Sequence, residues 1–137
     1  VFLHATSAAS KLWPEHQWKK LAARFVSEGM AVVLPWGRDD ERARAERIAD
    51  RIRYVVTAPH LGLRALATLL GHARLCVGVD TGLTHFAAAL GTPTVGVYVA
   101  TDPAATGVLA PAHAANVGGR REIPSQADVL AAVAAVA

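Results

Sequence analysis

Short apolar runs alternate along this chain with longer segments in which apolar residues recur every three to four positions, a pattern that predicts strands and helices in turn from end to end. "VFLHA" (1–5) predicts the first strand. After a small polar loop, Pro14 suits the first turn of a helix over "EHQWKKLAARFVSEG", with Trp18, Leu21, Ala22 and Phe25 on one face and Gly29 as the stop. "AVVL" (31–34) and "YVV" (54–56) predict the next two strands. Between them "WGRDDERARAERIADRI" predicts a helix with its acids at the N-terminal end, where the macrodipole favours them. "LGLRALATLLGHA" predicts an amphipathic helix, "LCVGV" (75–79) a strand, "HFAAAL" a short helix closed by Gly91, and "TVGVY" (94–98) a further strand. Beyond Ala100 the pattern weakens into Pro, Gly and Ala. There only a strand at Ala114–Val117 is predicted, before Ser125 caps a terminal helix, "QADVLAAVAAVA".

Strands that alternate with helices read as parallel βαβ units, so the expected fold class is α/β, a Rossmann-like open parallel sheet with helices on both faces. The 137 residues suffice for one domain, and no repeat or low-complexity linker divides them. No apolar run reaches membrane-spanning length. The opening "VFLHAT", with neither Met nor a charged leader, reads as an internal segment of a longer protein. Cys76 is alone and mid-strand, which fits a reducing, cytoplasmic compartment and an inert core thiol. The net charge of +3 suits an anionic partner. Its basic clusters (Lys19, Lys20, Arg24; Arg38, Arg42, Arg44, Arg47) are diluted by acids and lack interleaved aromatics, so they read as solvated helix faces and not as a nucleic-acid surface.

The stretch "LCVGVDTGLTHFAAALG" runs a strand directly into a helix start, the place where open α/β sheets bind ligands. Backbone N–H groups of Thr81, Gly82 and Leu83 are expected to point outward and donate to an anion, with Gly82 allowing close approach and Ala87, Ala88 and Ala89 keeping the helix thin. Asp80 would repel a diphosphate; it either accepts from neutral sugar hydroxyls or caps its own turn. His85, near the positive end of a helix, is expected neutral, either hydrogen-bonding at the site or buried and satisfied. A second cluster, "HATSAASKLWP", offers hydroxyls on Thr6 and Ser7 with Lys11 as counter-charge for phosphate. In "PWGRDDERA", capping explains Asp39, Asp40 and Glu41 more simply than a metal site, and Glu41 could accept bonds from a ribose.

Several chemistries lack their residues. There is no Walker A loop, no G-x-G-x-x-G, no G-x-S-x-G nucleophile turn, and no zinc-ligand spacing among the histidines; neither a resident cofactor nor a metal is implied.

Taken together, "TSAASKLWPEHQW", "LPWGRDDERARAERIA" and "VDTGLTHFAAALGTPTVGVYVATDP" resemble, in this order and spacing, the C-terminal domain of lipopolysaccharide heptosyltransferases, in the type I form. The likeness extends to about Pro103. It implies the C-terminal half of a two-domain GT-B enzyme that moves heptose, with inversion, from ADP-heptose to the Kdo of lipid A. By position it implies that Thr6, Ser7 and Lys11 contact the diphosphate, Glu41 the ribose and Leu61 the adenine. Thr81, Gly82 and Leu83 would give amides to the phosphates, and Asp80 would hold heptose hydroxyls with His85 nearby. Lys11 and Asp80 would be the catalytic members on this chain. The acceptor's base, an aspartate, and the lipid A-Kdo acceptor itself would belong to an N-terminal domain outside these residues, so this segment alone is expected to be inactive. The resemblance further implies a place at the cytoplasmic face of the inner membrane with peripheral association. Two rivals stand beside it: a non-catalytic regulatory nucleotide-binding domain, and a flavodoxin-like receiver, which would want acids where the chain has His4 and Pro35.

Overall fold

A computed structural model describes residues 1–109 and 112–137. Its strands are β1 (Phe2–Leu3), β2 (Val32–Leu34), β3 (Val55–Thr57), β4 (Cys76–Val79), β5 (Thr94–Tyr98) and β6 (Ala114–Gly118). Its helices are α1 (Glu15–Ser27), α2 (Asp39–Ala49), α3 (Leu63–His72), α4 (Gly82–Ala89), α5 (Pro103–Thr106) and α6 (Gln126–Val136), with a 3-10 turn at Ala9–Lys11. All ladders are parallel. β1, β4, β5 and β6 form one sheet in that order, and β2 pairs with β3. β2 runs beside β1 without joining it, because β1 keeps only two residues in ladder geometry and spends them on β4. The strands therefore line up as β3, β2, β1, β4, β5, β6, with the order reversing between β1 and β4. That is the switch point at which doubly wound sheets bind ligands.

Period-two alternation sends each strand's residues to two cores. Phe2, Val77, Val79, Val95 and Val97 face the larger one, under α1, α2 and α6. Leu3 and Cys76 face the smaller, with Leu70 and Ala87 of α3 and α4. Cys76 is buried and burial pushes its thiol up to about 12, so it is chemically quiet.

Four sequence expectations change. α4 starts at Gly82, three residues before the predicted helix, because the amphipathic signal there is weak while Thr81 already has N-cap geometry. Pro14 is the N-cap of α1 and precedes its first turn. α5 was not predicted; Asp102 caps it by accepting from the Ala104 N–H at 2.9 Å. Arg44 and Arg47 are not simply solvated: both reach Glu15 on α1, and Arg44 also donates to the Trp13 carbonyl. Ala110 and Pro111, in the segment given no element from sequence, lie outside the described residues.

Candidate functional site

The loop after β1 is short of apolar residues, yet it is tethered. Trp13 is fully buried, its Nε1 donates to the Pro124 carbonyl at 3.0 Å, and its ring meets Trp18 edge-on at 5.0 Å. The turn Ala9–Lys11 closes through the Lys11 N–H to the Ala8 carbonyl, which aims Lys11 back over the sheet edge. There Lys11 Nζ lies 2.9 Å from Asp80 Oδ2. Thr6 Oγ1 donates to the Asp80 carbonyl at 3.3 Å, so the ends of β1 and β4 are stitched together across the switch point.

All ten residues singled out from sequence line one open cleft of about 620 Å³. Thr6, Ser7 and Lys11 come from the loop after β1, Glu41 from the first turn of α2, and Leu61 from the segment before α3. Asp80 ends β4, and Thr81, Gly82, Leu83 and His85 belong to the start of α4.

The start of α4 is open. Thr81 takes N-cap geometry but its side chain caps nothing, and among the described residues the Thr81, Gly82 and Leu83 amides find no acceptor. Unpaired amides with the positive end of the helix dipole make an anion site. The space beside Gly82, where close approach of an anion is expected, is open: a Cβ there meets nothing within 4 Å. A close approach within the protein lies four residues earlier, at Gly78, where a Cβ would clash with Thr84 Oγ1 and lie 3.0 Å from Leu3 Cβ. Likewise Ala87 and Ala88 are buried against the sheet, whereas Ala89 faces out.

Asp80 does not cap its own turn. Its Oδ2 takes both Lys11 and Thr101 Oγ1, each at 2.9 Å, and its Oδ1 has His85 Nε2 at 3.9 Å. Burial pulls this carboxyl upward, but the bonds from Lys11 and Thr101, with the charges of Lys11 and His85, outweigh it and hold it below the ordinary value. His85 is not buried; its side chain is 42% exposed and turned to the cleft. Glu41 caps its helix as expected and also lines the cleft. Its Oε1 accepts from the Arg38 N–H at 3.2 Å, closing the first turn of α2.

Two residues that bear on the site were missed, Trp36 in the cleft lining and Thr101 as a hydrogen-bond partner of Asp80. Trp36, at the C-terminal end of β2, is held by Nε1 to the Ala58 carbonyl at 2.7 Å, with His60 against its edge and Arg42 over its ring. Thr101 follows β5. Both stand just past the C-terminal ends of parallel strands, and that placement is the signal that could have found them. His4, beneath the cleft, is fully buried with neither ring nitrogen partnered by the described residues. Burial, then the nearby Arg44 charge, lowers its pKa to about 4, against weaker opposite pulls from the Pro35 backbone and Glu15.

Comparison with known proteins places this geometry. The family model for glycosyltransferase family 9 (heptosyltransferase) matches residues 1–132. Lipopolysaccharide heptosyltransferase 1 of Pseudomonas aeruginosa is 47% identical over 107 residues, which cover 78% of this chain and 30% of that protein. Among solved structures, E. coli heptosyltransferase WaaC with ADP superposes with a TM-score of 0.92 at 34% identity, covering 99% of this chain and 43% of that one. The same enzyme with ADP-2-deoxy-2-fluoro heptose gives 0.82 at 36% identity, covering 95% and 39%. This chain thus spans less than a third of the length of the Pseudomonas relative.

Proposed function

This chain belongs to glycosyltransferase family 9, the heptosyltransferases, and from that premise we propose that its cleft binds ADP-heptose as the sugar-donor half of an inverting enzyme. In this reading the heptose passes to the Kdo of lipid A during assembly of the lipopolysaccharide inner core. The observation that carries it is the convergence of Lys11, Asp80 and the uncapped start of α4 at one switch-point cleft. Two solved structures of one relative, with ADP and with ADP-2-deoxy-2-fluoro heptose, have the same fold.

The residues divide the ligand among them. The amides of Thr81, Gly82 and Leu83, the hydroxyls of Thr6 and Ser7, and the Lys11 ammonium hold the diphosphate. Glu41 takes the ribose through the oxygen that Arg38 leaves free, and Leu61 packs on the adenine. Asp80 and His85 face the heptose. As the glycosidic bond breaks, negative charge grows on the departing ADP and the sugar becomes oxocarbenium-like. Fixed amides and an ammonium around the phosphates then stabilise the transition state more than the ground state. Asp80 keeps Lys11 aimed at this position. The base that takes the acceptor proton is an aspartate of the part of the enzyme beyond these residues, as are the contacts to lipid A-Kdo. The proposed setting is the cytoplasmic face of the inner membrane with peripheral association, which a net charge of +3 suits.

Calorimetric titration of ADP-heptose tests this. The chain should bind, and Lys11→Ala should weaken binding by roughly 10- to 100-fold, about 1.4 to 2.7 kcal/mol, as loss of a charge-assisted contact requires. Equal affinity in the two proteins would remove Lys11 from the phosphate site.

A further inference from the structure

The Asp80 carboxylate sits at the centre of the cleft with its two oxygens in unlike surroundings. Oδ2 is saturated by Lys11 Nζ and Thr101 Oγ1, both at 2.9 Å. Oδ1 receives no hydrogen bond from the described residues; His85 Nε2, at 3.9 Å, is too far to make one and near enough for a single hydroxyl to touch both groups. A carboxylate on a two-bond side chain can rotate, and one cation alone does not fix which oxygen it meets. A second donor on the same oxygen does.

Thr101 lies between two bonded stretches of chain. It follows β5, whose Tyr98 hydroxyl donates to the Thr106 carbonyl at 3.2 Å, and it precedes α5, which Asp102 caps.

We propose that Thr101 is a positioning residue: by sharing Oδ2 with Lys11 it locks the Asp80 carboxylate so that Oδ1 is presented, with His85, to a hydroxyl of the donor sugar. This rests on the donor reading of the cleft. It separates two jobs within one site, since the diphosphate meets the α4 amides and does not require Oδ1, whereas the sugar does. Thr101 also favours the ionised carboxylate, together with Lys11 from the loop after β1 and His85 from α4. Tyr98, on β5, is the other titratable group near this charge; burial first and then Asp80 raise it to about 12, so it stays neutral.

Two measurements on the 137-residue chain test the proposal, each with Thr101→Val, which keeps the shape and removes the donor, and Thr101→Ser, which restores it. In a carboxyl ¹³C NMR titration without ligand, the Asp80 midpoint should rise in the valine variant and return in the serine variant. By calorimetry, Thr101→Val should bind ADP within twofold of the unsubstituted chain but ADP-heptose roughly tenfold more weakly, with serine recovering most of the loss. An unmoved midpoint, or ADP and ADP-heptose weakened alike, or no recovery by serine, overturns the role of Thr101 and leaves the donor reading standing. If the unsubstituted chain binds neither nucleotide, the donor reading itself fails and the sugar-facing role falls with it.

Discussion

Lys11 and Asp80 lie 2.9 Å apart with side chains 32% and 10% exposed, so each charge depends on the other in a half-dry setting. Lys11 supplies both a hydrogen bond and a full charge to the carboxylate, and Thr101 a hydrogen bond only. Lys11→Ala should therefore raise the Asp80 titration midpoint further than Thr101→Val, as carboxyl NMR would read; the reverse order would mean that the ammonium is not the main partner. His4 gives a second expectation. Its folded pKa is lowered from 6.5 to about 4, so between those values the unfolded chain binds the extra proton and stability rises with pH. Falling from pH 7 to pH 4 should cost on the order of 3 kcal/mol through this residue. Denaturant unfolding of His4→Phe should lack that share of the loss. At this scale the sequence named Lys11, Asp80 and His85 but could not pair them, since the bond from Thr101 to Asp80 spans 21 positions and strand-end loops carry no periodicity.

Strand by strand, the order and kind of element were legible from periodicity, because buried parallel strands and amphipathic helices impose it. Their ends were not. β1 shrinks to Phe2–Leu3, and α5 hides in "PAAT", where one Pro and small residues mask a capped turn. The close contact of β4 with α4 at Gly78 was not read from sequence, which shows that a glycine is present but not what stands opposite it. Gly78→Ala should destabilise the fold by about 1 to 3 kcal/mol through overpacking against Thr84 and Leu3. Gly82→Ala should leave thermal stability nearly unchanged yet weaken ADP binding, because only a ligand approaches that side of the helix start. A Gly82→Ala chain that melts early with normal ADP affinity would reverse the assignment.

At the scale of the molecule, the reversal of strand order between β1 and β4 explains why chemistry from four separate segments of sequence gathers at one edge. In the proposed reading that edge holds the departing nucleotide, while the base for the acceptor is an aspartate outside these residues. The 137 residues should accordingly bind ADP-heptose but give no heptose transfer to a lipid A-Kdo acceptor in a radiolabel assay. Turnover would show that the base lies within them.

The most direct measurement is a crystal structure of this chain with ADP. The pyrophosphate should lie within hydrogen-bond distance of the Thr81, Gly82 and Leu83 amides and of Lys11 Nζ, between the ends of β1 and β4. A nucleotide bound elsewhere, such as the apolar groove lined by Phe25, Met30 and Leu69 at the opposite strand ends, would contradict the account.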